Sequence, residues 1–270
     1  MSVNRFKNAS GMLVILNVLF FAAMSIFSPR GIGNFVYCKT LIPISVAKYL
    51  LFGAQVGVIV SRCGEWFRLF TAMFVHGGLL HLLFNMYALY YLGNLVEYTY
   101  GIWRFLVFYF ASGFIGNVAT QIFYSSSISL GASGAIFGLA GVLLSAGFRS
   151  DTPIFLRPYT GAALLPMIIF NIIYGFIPGS GINNAAHIGG LLTGMIFGYI
   201  TRVPYHSNVS VKELLFRMRY KDFWTNPWYR NLRREFLWFL TGLIFVIMVT
   251  VSFILLIPAS VRMLSAIKGW

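Results

Sequence analysis

Three stretches hold side chains that can do chemistry together. Gly131-Ala132-Ser133-Gly134 ends a polar stretch (Ser125, Ser126, Ser127, Ser129) and opens an apolar run reaching about Phe148. His81-Leu82-Leu83-Phe84-Asn85 sets an imidazole and an amide four residues apart, on one face of a helix and one turn from each other. Ala186-His187-Ile188-Gly189-Gly190 opens another apolar run. A serine and a histidine suggest nucleophilic acyl transfer, with the imidazole taking the hydroxyl proton. Glycine on each side of Ser133 lets another backbone come close, and the first N–H groups of a helix can point at an anion. The same residues suit a plainer use: small residues line packing faces of membrane helices, and histidine and asparagine can serve as hydrogen-bonding glue between them.

The elements that must position these residues are membrane helices. The chain has 270 residues, 59% hydrophobic and only 10% charged, with mean hydropathy +0.79. A soluble domain carries about 25% charged residues, so there is too little charge here to cover a water-facing surface. Apolar runs at approximately 11–27, 79–97, 103–123, 132–148, 160–177, 186–201 and 236–257 each approach the length that spans a bilayer as a helix. The fold class expected is an all-α polytopic membrane helix bundle of seven helices.

The net charge of +14 would suggest nucleic acid in a soluble chain, but its distribution decides otherwise. With the N-terminus in the cytoplasm, thirteen Lys and Arg residues fall inside and seven outside, as the positive-inside rule requires. The basic stretch 202–235 then reads as a topology determinant touching anionic headgroups, and no nucleic-acid partner is expected. The first apolar run also permits a signal-sequence reading, with Ala23 and Ser25 imitating a cleavage site. Residues 28–78 form an outer loop too apolar for a soluble linker and expected to lie partly in the interface, with Trp66 and Arg68 at headgroup level. Cys38 and Cys63 both lie in it; they either pair in an oxidising compartment or are two unrelated thiols. His76 is expected to pack the outer loop. No His/Cys cluster has zinc spacing, and no metal or other cofactor is expected.

In this topology the second, fourth and sixth spans all run from outside to inside. His81, Asn85, Ser133 and His187 each fall within about the first two turns of their own helix, at similar depth. Gly190, Gly194 and Gly198 repeat every four residues on the face that carries His187, and Gly134, Gly138 and Gly141 lie beside Ser133. Two such glycine-lined helices can approach closely. Ser112, Gly113 and Gly116 make a similar face on the third span. A triad needs a carboxylate behind the imidazole, and the chain has six acids. Glu97 lies sixteen residues past His81 and Asp151 eighteen past Ser133, which at 1.5 Å per residue is about 24 and 27 Å away. Glu213, Asp222 and Glu235 follow the sixth span, and Glu65 is placed at the interface. A Ser-His dyad without an acid is therefore expected.

The chain resembles the rhomboid intramembrane serine proteases. The resemblance is carried by Glu65-Trp66-Phe67-Arg68, His81-x-x-x-Asn85, Gly93-x-x-x-Glu97-x-x-x-Gly101, Gly131-Ala132-Ser133-Gly134 and Ala186-His187-Ile188-Gly189-Gly190, in that order over residues 65 to about 200. It implies a six-helix core, with the span at 236–257 appended as a seventh transmembrane helix, hence a protease core over 1–201, a basic cytoplasmic loop over 202–235, and the last helix with a short outer tail over 236–270. It also implies that Ser133 attacks the scissile carbonyl with His187 as base. The Ser133 N–H, His81 and Asn85 would hold the oxyanion, and Phe137 would stack on the His187 ring. Segment 178–185 is glycine-rich and would act as a lid or serve as a plain connection, with the fifth span moving to admit a substrate helix. Partners would be transmembrane substrates within a prokaryotic plasma membrane, the site opening to the outer face. Two other readings compete: a non-proteolytic relative that binds membrane segments for quality control, and a transporter, which would predict internal repeats.

Overall fold

The structure, a computed structural model, describes residues 9–26, 34–203 and 232–268. Helix α1 (Ala9–Ile26) starts where the Ala9 and Ser10 N–H groups donate to the Glu97 carboxylate at 2.9 and 2.8 Å. An anion at a helix start satisfies two orphan donors and opposes the dipole, which gives this buried acid a structural use. The second span runs from α5 (Leu79–Ala88) through a π-helical turn (Leu89–Gly93) into α6 (Asn94–Tyr100), and α7 (Ile102–Phe123) follows the left-handed Gly101. Helix α8 covers Ser133–Gly147; two 3-10 turns (Ile154–Tyr159, Gly161–Leu164) lead into α9 (Leu165–Gly175); α10 covers Asn184–Ile200. The C-terminal helix, Leu232–Lys268, extends at both ends beyond the expected 236–257. Five of these helical stretches are long and apolar enough to cross a membrane. With the shorter α8 and α10, all seven expected runs are helical. Most of the basic stretch 202–235 lies outside the described residues.

Among the described elements, α8 meets α10 in the most extensive helix–helix contact, and α7 packs on both. The reason is legible in the glycines. A Cβ added at Gly190 would collide with the Gly134 carbonyl oxygen, one at Gly194 with that of Gly138, and one at Gly198 with that of Val142. Backbone meets backbone over three helical turns, an approach that only glycine permits. The two ridges expected from the spacing thus face each other. Gly138 also receives the side chain of Ser112, and Gly116 faces the Ala186 carbonyl, so the small residues of α7 seat the other two helices.

The outer loop is more structured than an interface-lying segment. Strands β1 (Asn34–Tyr37) and β2 (Thr40–Pro43) form a hairpin whose turn residues Cys38 and Lys39 take φ of 52° and 57°. Helix α2 (Ile44–Leu51), strand β3 (Gln55–Val56), helix α3 (Gly57–Cys63) and the short helix α4 (Arg68–Thr71) follow. These short strands are a local departure from an all-α reading. Phe35, Leu50, Ile59 and Val75 form a second core closed by Met24 of α1 and Met263 of the C-terminal helix. Cys38 and Cys63 are paired as a disulfide, Cα to Cα 5.8 Å, which resolves the two readings of these thiols in favour of the bond.

Glu65 and Arg68 correct the headgroup expectation. Trp66 is exposed, but Arg68 is fully buried and Glu65 nearly so. The Arg68 guanidinium donates to Glu65 Oε2 at 2.6 Å and to the Leu50 and Ala54 carbonyls at 2.7 and 3.0 Å. Tyr37 Oη donates to Glu65 Oε1 at 2.6 Å, and Arg262 of the C-terminal helix reaches the same oxygen at 3.4 Å. Burial and the adjacent Glu65 carboxylate push the Tyr37 phenol above its ordinary value. A charge inside a loop core persists only when paired and hydrogen-bonded, and of the guanidinium nitrogens of Arg68 only Nη2 lacks a partner among the described residues; composition alone points such residues at the surface.

Candidate active site

Ser133 is the first residue of α8, and its approach is held by the outer loop. Strand β4 (Ile128–Ser129) pairs antiparallel with β3, matching Gln55 with Ser129 and Val56 with Ile128. Gly131 N–H donates to the Ala72 carbonyl at 2.9 Å, with φ of +115°, a conformation that L side chains rarely adopt. A Cβ at Gly131 would also strike the His81 ring, with Asn85 Nδ2 just beyond it. The chain therefore turns sharply under the His81–Asn85 face and presents a partly exposed Ser133 directly afterwards.

His187 lies one turn into α10, buried, with its Nε2 2.8 Å from Ser133 Oγ. The ring of Phe137, one turn along α8 from Ser133, lies 4.1 Å from the His187 ring centroid at an interplanar angle of 13°. The aromatic face thus sets the imidazole plane, and the glycine contacts set the distance between the helices. His187 Nδ1 is buried with no hydrogen-bond partner among the described residues. Among the described residues, Glu65 is engaged with Arg68, Glu97 with the start of α1, and Asp151 with Arg149 at 2.8 Å.

His81 and Asn85 of α5 both lie against Gly131, two residues before Ser133. Gly77 N–H donates to His81 Nδ1 at 3.4 Å. That makes Nδ1 the acceptor and leaves the ring proton on Nε2, the nitrogen turned towards Gly131. Asn85 Nδ2 is buried and unpartnered, a donor that its neighbours leave unused. His76 packs edge-on against His81, ring centroids 5.2 Å apart. Fully buried, it is pushed down to about 3 by desolvation and by the nearby His81.

Two residues escaped the sequence reading. Segment 178–185 reads as a glycine-rich connection, but its last residues are firmly held. Asn183 caps α10, its Oδ1 accepting from Ala186 N–H at 3.2 Å while its Nδ2 donates to Thr120 Oγ1 and Ser129 Oγ at 2.8 and 3.0 Å. Asn184 belongs to α10, and its Nδ2 donates to the Ile172 carbonyl of α9 at 3.1 Å. The available signal was an asparagine three residues before the apolar run, an ordinary N-cap position.

Residues 63–204, slightly more than half of the chain, match the family model for the Rhomboid domain. Over 153 residues the chain is 44% identical to rhomboid protease GluP of Bacillus subtilis, covering 57% of this chain and 29% of that protein. It is 35% identical over 180 residues to RHOMBOID-like protein 4 of Arabidopsis thaliana, covering 65% and 45% of the two chains. RHOMBOID-like protein 1 of the same plant is 32% identical over 207 residues, or 70% and 51%. The chain thus spans between about a third and a half of the length of these relatives. With its apolar helices, this makes it an integral multi-pass membrane protein. The matched segment runs from the buried Glu65–Arg68 pair to the end of α10, the same stretch that brings Ser133 to His187, and the chain belongs to the rhomboid family.

Proposed function

We propose that this protein is an intramembrane serine endopeptidase that cleaves membrane-protein substrates in or near their transmembrane segments with a Ser133–His187 dyad. The observation that carries the reading is the 2.8 Å approach of Ser133 Oγ to His187 Nε2, within the reach a nucleophile and its base require. Ser133 Oγ attacks the scissile carbonyl carbon while its proton passes to His187 Nε2. The Ser133 N–H, His81 Nε2–H and Asn85 Nδ2–H stabilise the oxyanion of the tetrahedral intermediate. The C–N bond breaks as Nε2 returns the proton to the leaving amine. Water, its proton taken by the same nitrogen, then attacks the acyl ester, and as the acyl C–Oγ bond breaks Nε2 returns that proton to Ser133 Oγ.

Phe137 fixes the ring through which both transfers pass. Among the described residues no carboxylate orients His187 from behind; stacking does part of that work. Helix α9 is exposed along most of its length, with only Ile168 fully buried, and moves aside for a substrate helix. Small or helix-breaking residues in that substrate lower the cost of unwinding it. The N-terminus and the stretch 202–235 face the cytoplasm, and the site opens to the opposite side of a plasma membrane.

Labelling with a fluorophosphonate probe in detergent tests the reading. The native chain is expected to label, and Ser133→Ala and His187→Ala to lose labelling. His81→Ala and Asn85→Ala should each slow substrate turnover by about 10²–10³, as removal of one oxyanion donor does. A folded native chain that neither labels nor cleaves would instead support a role in binding membrane segments.

A further inference from the structure

We infer that Asn183 is a positioning residue for the dyad, a single amide that clamps the chain before Ser133 to the helix that carries His187. Its two ends face different elements. Oδ1 caps α10 at Ala186 N–H, 3.2 Å away, and the Asn183 carbonyl accepts from His187 N–H itself at 3.2 Å. Nδ2 donates to Ser129 Oγ at 3.0 Å, on β4 four residues before Ser133, and to Thr120 Oγ1 at 2.8 Å near the end of α7. The orientation of the amide follows from its partners. Thr120 spends its hydroxyl proton on the Gly116 carbonyl at 3.1 Å and can only accept, whereas a backbone N–H can only donate. Asn183 therefore stands four residues from His187 on one side and one hydrogen bond from the serine's own approach on the other. Glycine packing holds α8 and α10 together from the dyad downwards, with Gly134 already against the Ala186 carbonyl. To that packing the amide adds a polar link between the two approaches.

The link also bears on the connection before α10, whose own bonds are local: Ser180 N–H donates to the Ile177 carbonyl at 3.1 Å and Ile182 N–H to Ser180 Oγ at 3.3 Å. Gly179 and Gly181 adopt φ of 84° and 68°, and neither has any atom within 4 Å of an added Cβ. Besides this amide, the start of α10 is held by the Asn184 bond to the Ile172 carbonyl and by the contact of Ala186 with Gly116, neither of which reaches β4. With Asn183 in place, the His187 turn moves with β4 and Ser133 rather than with the connection.

This inference rests on the proteolytic reading, and its test separates the two. Asn183→Ala removes cap and bridge together. Asn183→Asp restores the cap oxygen, and its second oxygen can accept from the Ser129 hydroxyl, rebuilding the bridge with reversed polarity. In the double variant Asn183→Asp/Ser129→Ala the cap remains and that bridge is gone. We expect Asn183→Ala to label with a fluorophosphonate about tenfold more slowly than native, since ångström-scale misplacement costs up to about a hundredfold. Asn183→Asp should recover to within about threefold, and the double variant should fall back to the alanine level. Native-like labelling of Asn183→Ala, or recovery that persists without Ser129, would overturn the inference and leave Asn183 as a helix cap only. A second readout needs no turnover: the ¹⁵N shift of His187 Nε2, in a chain with four histidines. It should move in Asn183→Ala towards its value in Ser133→Ala; an unmoved shift would refute the clamp. Should the native chain fail to label, the proteolytic reading falls, while the shift still decides whether Asn183 holds the two residues together.

Discussion

Gly194→Ala adds one methyl group two turns below His187 and should disable the site without touching it. A Cβ at Gly194 overlaps the backbone carbonyl of Gly138, with Gly138 C and Cα at 2.6 and 2.8 Å, where ordinary contact starts at 3.4 Å. No side chain can swing away, so the helices must part by roughly 1 Å or more, and overpacking of this kind costs about 1–3 kcal/mol. Gly194 lies seven residues past His187, about 10 Å along the axis at 1.5 Å per residue, and a helix transmits such a displacement as a stiff rod. Adding even half of it to the 2.8 Å between Ser133 and His187 exceeds the hydrogen-bond reach of about 3.2 Å. The expected result is about a hundredfold loss of fluorophosphonate labelling with a lowered unfolding midpoint. Gly78→Ala is the control, because nothing lies within 4 Å of its added Cβ and its φ of −179° suits any residue. It should label and unfold as the native chain does. Native-like labelling and stability in Gly194→Ala would refute the claim that glycine contact sets the dyad distance.

Other consequences are as direct. His76 is neutral when folded, with a value near 3 against 6.5 for an ordinary histidine. The unfolded chain therefore binds the extra proton between those values, and stability present above about pH 6.5 falls as pH drops towards 3, by up to about 1.4 kcal/mol per pH unit. Unfolding midpoints measured across that window should decline less steeply in His76→Phe, and equal slopes would contradict the buried neutral state. Glu65→Ala strands the buried Arg68 charge and should cost about 3–5 kcal/mol, read as lost folded yield. A Glu65→Ala chain as stable as native would show that the pair contributes nothing. Reduction of Cys38–Cys63, which closes a loop of 25 residues, should lower stability by about 3–4 kcal/mol on the chain-entropy account; unfolding with and without reductant measures it. Phe137→Ala should slow turnover more than it affects substrate binding, because the ring touches only His187's side of the chemistry, and a kcat-against-KM split reads this.

Much of this protein follows from local pattern. Seven apolar runs determine seven helices because lipid leaves the backbone no other way to satisfy its polar groups. Glycine every fourth residue determines which faces of α8 and α10 can meet, and the spacing of His81 from Asn85 and of Ser133 from Phe137 determines which side chains share a helix face. Those periodicities belong to the helix itself, so they are written in the chain. What the tertiary structure alone decided concerns partners distant in sequence. Glu65 and Arg68 look like interface residues until Tyr37, Leu50 and Ala54 close around them. Cys38 and Cys63 could pair or stay apart until the hairpin turn met the end of α3. Asn183 looks like part of a loose connection until Thr120 and Ser129, each more than fifty residues away, supply its acceptors. A polar group's meaning depends on which groups satisfy it once water is gone, and that is settled only when the elements have packed.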